Sequence, residues 1–106
     1  MQRAALDRLL EILRSARERK KMYFSPIGPV AVGHWLHGLR TGFSFVGLEW
    51  PSKYRRSVVE SRGWEYGDAA GEIPALERRG LSPEEVADEL LAIEIDTWQF
   101  YRDQLG

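Results

Sequence analysis

The chain contains no cysteine, so disulfides and thiolate metal sites are excluded. It has two histidines, His34 and His37, which is few for metal or acid–base chemistry. No apolar run approaches the ~20 residues that cross a bilayer, and the N-terminal MQRAALDRLLEILRSARERKK has charges throughout, unlike a secretory signal. These absences lead us to expect a cytoplasmic protein with no membrane association and no disulfide staples. Catalytic motifs are missing too. There is no GxSxG elbow, and Gly28, Gly33, Gly38, Gly42 and Gly47 form neither a dinucleotide fingerprint nor a phosphate-binding loop. No cofactor is expected.

Positive charge is scarce in the second half. Residues 63–106 hold three Lys or Arg against eleven Asp or Glu, while residues 1–62 hold twelve against five. This asymmetry implies either a charged partner or two halves that neutralise each other.

What is present is apolar and periodic. Hydrophobic residues make up 43% of the 106-residue chain, enough for one domain with its own core. From Gln2 to about Lys20, Ala5, Leu6, Leu9, Leu10, Ile12, Leu13 and Ala16 share one helical arc, with Asp7, Glu11, Arg14 and Glu18 opposite. YFSPIGP then breaks the pattern. A second helix is expected from about Val30 to Val46, with Val32, Trp35, Leu36, Leu39, Phe43 and Val46 on its inner face. Ala31, Gly38 and Gly42 form a narrow stripe that would admit another backbone. The short aromatic run FSFVGLEW leaves an extended reading open beside the helical one. Pro51-Ser52 opens a third helix to about Arg62, with Tyr54, Val58 and Val59 inward. GWEYGDAAGE reads as a connector, and IPALERRG as one or two helical turns stopped by Gly80. In LSPEEV, Ser82 is an N-cap, Pro83 the first helical residue and Glu85 the partner that completes a capping box, with Leu81 and Val86 as the hydrophobic staple. That helix runs near to Leu105. The expected fold is a single all-α domain, a bundle of four or five helices.

On the second helix His34 and His37 fall beside Thr41 and Ser44, away from the apolar face. A zinc-assisted hydrolase would need a third protein ligand, and the flanking sequence offers none. A solvated polar face is the simpler reading. On the last helix Leu90, Leu91, Ile93, Trp98, Tyr101 and Leu105 define the apolar arc, and Glu94 falls within it. A carboxylate there must be paired, hydrogen-bonded or protonated. Candidate partners are Arg40, Arg62, a Trp N–H and a Tyr hydroxyl. Opposite stand Glu85, Asp88, Glu89, Asp96 and Asp103 with no cation among them. They form a docking face for a protein with a basic surface, a stripe covered by the basic first half, or a face that water alone solvates. On the docking reading, reversing Glu89 and Asp96 to Lys would leave the fold intact. For nucleic acid the best segment is RSARERKKMYF, with Arg14, Arg17, Arg19, Lys20 and Lys21 facing phosphates, although the near-neutral net charge disfavours it.

KKMYFSP, the Gly38-Leu39 pair, SRGW and RRGLSPEEVADELLAIEIDTW together resemble a family of small bacterial proteins, some encoded near polymorphic toxins and regarded as immunity proteins. The resemblance covers most of the chain and offers no catalytic residues to carry over. It implies a non-enzymatic, protein-binding role, with a toxin as partner.

Overall fold

The computed structural model of the protein describes residues 2–62 and 76–105. Among these residues every regular element is helical. Helix α1 spans Gln2–Glu18, and after a break at Arg19 a single turn, α2, follows at Lys20–Tyr23. Helix α3 spans Pro29–Ser44, α4 Ser52–Ser61 and α5 Pro83–Gln104. Residues 76–78 make a helical turn that ends at Gly80, whose φ of +83° suits a residue without Cβ. The connector GWEYGDAAGE and the start of IPALERRG lie outside the described residues.

Helix α5 is the centre of the fold, with α1, α3 and α4 each packed against it. Its start follows from local chemistry. The Ser82 hydroxyl accepts from the Glu85 N–H at 3.2 Å, and the Glu85 carboxylate accepts from the Ser82 N–H at 2.9 Å. Pro83 has no N–H, so two of the three amides that this helix start leaves unpaired are thereby satisfied. Val86 is fully buried and Leu81 packs on the core, which fixes the entry angle. From α1, Leu6, Leu9, Leu10, Leu13 and Ala16 enter the same core, while Ala5 is only partly covered. Val32 and Leu36 enter from α3, and Val58 and Val59 from α4. Trp98 is fully buried among them, with Trp50 against it at 5.5 Å between ring centroids.

Three expectations need correction. Helix α3 ends at Ser44, so Val46 lies beyond it and is 62% exposed rather than inward. The run after it is neither helix nor strand: residues 45–47 turn, Gly47 takes a φ of +91°, and Leu48 returns to the core. Leu105 caps α5 from outside and is 40% exposed, because the apolar arc runs out at Tyr101.

Candidate functional site

The buried carboxylate on α5 is held as an ion pair. Glu94 is 1% exposed. Arg40 reaches it from α3 with two N–H donors, Nε at 2.8 Å to Oε2 and Nη2 to Oε1. The Trp98 indole N–H donates to Oε2 at 3.1 Å. The outer face of the guanidinium is covered by Trp50, whose ring centroid lies 3.8 Å from Cζ. Planar bidentate pairing plus stacking is a task for Arg rather than Lys. Of the partners open to Glu94 in the sequence, Arg40 and a Trp N–H are those it uses, and Arg62 lies elsewhere. Among the described residues no buried side-chain nitrogen or oxygen lacks a partner.

Arg62 instead bridges the acidic stripe from α4. Its Nε donates to Glu89 at 2.6 Å and its Nη2 to Asp96 at 2.7 Å. Burial pulls the Arg62 pKa down, but hydrogen bonds to Asp96 and Glu89 outweigh it and hold the group above its ordinary value. Asp88 is gripped by Arg17, with Nε and Nη2 each at 3.1 Å, and by Lys20 at 2.6 Å. The Arg17 hydrogen bond holds Asp88 below its ordinary value; desolvation opposes it and Lys20 assists. Asp103 accepts from Gln99 at 2.9 Å, and Glu85 is engaged in the cap. Among the described residues, cations of the first half therefore pair with Asp88, Glu89, Glu94 and Asp96 of the second. Reversing Glu89 and Asp96 would strip Arg62 of both partners, a cost that the expectation of an intact fold leaves out.

The same pairs use up much of the basic segment. Arg17 and Lys20 are on Asp88, and Arg14 donates to Gln99 at 2.6 Å. Arg19 and Lys21 are exposed. An open depression of about 380 Å³ lies between Arg14, Arg17, Glu18, Asp88 and Ile95, and the Arg17–Asp88 pair forms part of its wall.

His34 and His37 are both exposed on α3. Among the described residues no three His, Asp or Glu side chains gather to hold a metal ion. The histidines belong to an outer face of α3 that has an unusual makeup: Val30, His34, His37, Gly38, Thr41 and, in the turn just after Ser44, Phe45. Arg40 is the one charged residue of this helix, and it points inward to Glu94. The outer face thus carries no Lys, Arg, Asp or Glu. Val30 is 65% exposed and Phe45 85%, with Val46 beside it at 62%. Gly33, Gly38 and Gly42 each lower helix stability by roughly 1 kcal/mol relative to Ala. A Cβ at any of them would meet nothing within 4 Å. Among the described residues, no backbone makes the close approach expected over Gly38 and Gly42, while Ala31 packs against the core. Sequence reasoning grouped Gly38 and Gly42 but placed Val46 inside, and so missed that the large exposed apolar side chains gather on the charge-free side.

The chain matches no family model, no curated protein and no solved structure. Among the described residues no helix is long and apolar enough to cross a membrane.

Proposed function

We propose that the chain is a non-enzymatic protein-interaction domain that docks through the outer face of α3 and the turn after it. The observation that carries this reading is Phe45, 85% exposed at the end of a helix face with no charged side chain. A large aromatic ring left in water on such a surface marks a contact face better than a solvated one. The acidic stripe of Glu85, Asp88, Glu89, Asp96 and Asp103 gives less support to docking on a basic partner, since arginines, Lys20, Gln99 and the α5 cap already engage it. The concrete form we propose is an immunity-type inhibitor in a bacterial cytoplasm, covering an apolar surface of a toxin. The family resemblance and the absence of cysteine support that setting.

The test is co-expression with toxins encoded beside the gene. Wild type should protect the host, and Phe45→Asp, which changes an exposed side chain, should fold normally and fail to protect. Equal protection by both proteins would remove the α3 face from the interface. Failure of wild type against every neighbouring toxin would overturn the immunity role.

A further inference from the structure

We infer that the turn α2 is a contact point for an anionic lipid surface, with Arg19 and Lys21 on the headgroups and Met22 at the acyl boundary. The sequence singles out this basic segment, and the structure divides it. Arg17 and Lys20 hold Asp88, and Arg14 donates to Gln99. Arg19 and Lys21 stay exposed, and neither has an ion pair among the described residues. Met22 is 77% exposed. Its N–H donates to the Arg19 carbonyl at 2.9 Å, so it lies one turn beyond Arg19 and next to Lys21. The turn is anchored from beneath. Phe24 is buried, the rings of Phe24 and Tyr23 meet Trp35 at 5.5 and 5.7 Å between centroids, and the Tyr23 and Ser15 hydroxyls hydrogen-bond at 3.0 Å. A thioether flanked by two cations is thus held out to solvent by a well-packed turn.

Charge selects the occupant. From Arg19 to Leu48 the sequence has no Asp or Glu, so an anionic surface meets no like charge from this stretch. Glu18 is exposed just before it, and Asp88 is already matched by Arg17 and Lys20. Nucleic-acid phosphates would also suit two cations, but they have no use for Met22. A bilayer takes the cations and the apolar side chain together. Tyr23, 40% exposed with its hydroxyl engaged, has the amphipathic build that sits at a headgroup boundary. The expectation of no membrane association came from the lack of a spanning run, which bears on crossing a bilayer and not on touching its surface. Each cation near such a surface strengthens binding about fivefold. Two cations and one apolar side chain bind more weakly than one myristoyl chain, whose constant is on the order of 10⁴ M⁻¹, so half-binding falls near ~1 mM lipid.

The experiment is co-sedimentation of the full chain with vesicles of phosphatidylcholine, alone or with about one-third phosphatidylserine. Wild type should bind the anionic vesicles at least about tenfold more strongly than the neutral ones, and added salt should weaken that binding. Arg19→Glu/Lys21→Glu should lower it at least about tenfold, and Met22→Asp at least about fivefold. All three side chains are exposed, so thermal unfolding of these variants should match wild type. Lys53→Glu changes an exposed cation on α4 and should bind as wild type does. So should Phe45→Asp, which separates this contact from the α3 docking face. Equal binding to neutral and anionic vesicles would overturn the inference. So would a loss in Lys53→Glu as large as in the α2 variants, or full binding by Met22→Asp. Retention of a poly-dT oligonucleotide by wild type without vesicle binding would also overturn it and give the turn to nucleic acid.

Discussion

Helices α3 and α5 both begin with proline in the first turn, and both contain residues that look out of place for a helix of their kind. In α5 each oddity finds its cause inside the fold. Glu94 on the core arc has Arg40 and Trp98, and the acidic stripe has Arg17, Lys20 and Arg62. In α3 the oddities have no internal cause among the described residues. Three glycines lower its stability with nothing packed over them, and Phe45 stands in water. A departure from ordinary composition that the chain's own contacts explain is architecture. One that they leave unexplained directs attention outward.

The sharpest break of this contrast is at Glu94. Glu94→Ala leaves the Arg40 guanidinium without its carboxylate and Trp98 without its acceptor. We expect a loss of about 3–5 kcal/mol by denaturant unfolding. Glu94→Gln keeps an acceptor for the indole and should cost clearly less. A change within experimental error for the alanine variant would move α5's central contact back to the surface class.

Next comes the double reversal Glu89→Lys/Asp96→Lys, which gathers three cations where one had two partners. A loss of roughly 1–2 kcal/mol is expected, reduced by added salt. A stability equal to wild type would show that Arg62 finds other partners and that the stripe is open to a ligand after all.

On α3 the sign should invert. Gly38→Ala adds a methyl in open space at a helical position and should stabilise the monomer by roughly 0.5–1 kcal/mol. A loss of stability in this variant would show that something packs over Gly38.

The smallest effect concerns Asp88. Its folded pKa is lowered, chiefly by the Arg17 hydrogen bond. Such a group contributes stability above its unfolded value, about 3.9, and that contribution is lost as pH falls through the folded value. Asp88→Asn should therefore change stability by under about 1 kcal/mol at pH 7 and flatten the acid limb below about pH 4. An acid limb identical to wild type would assign it to other carboxylates, Asp7 with Arg102 first among them.

The helices themselves are legible in the sequence because their signals are local. The Ser82–Glu85 capping box, the α1 leucine arc and the start of α4 each need only a few neighbouring residues, and all stand as read. The burial of Glu94 is legible for the same reason, since Leu90 and Trp98 flank it one turn away. The choice of its cation is not. Arg40 lies 54 positions earlier, and Arg62 lies 27 from Glu89, so which arginine goes where depends on how α3 and α4 are rotated against α5. The neutralisation of the acidic stripe hangs on the same rotation, which composition reveals only as a sum of charges. The error at Val46 is of another kind. Helical periodicity was extended two residues past Ser44, and at 100° per residue the side chain beyond a helix end can leave the face its number suggests.

The central place of α5 also sets a schedule. A ribosome delivers the chain from its N-terminus, so α1, α3 and α4 are made before the helix on which all three pack. At ~5–20 residues per second, the leucines of α1 spend several seconds without their native cover. Through that interval the polar outer side of α1 faces water, and the partner that Arg17 and Lys20 await is Asp88, on a helix made after the other three.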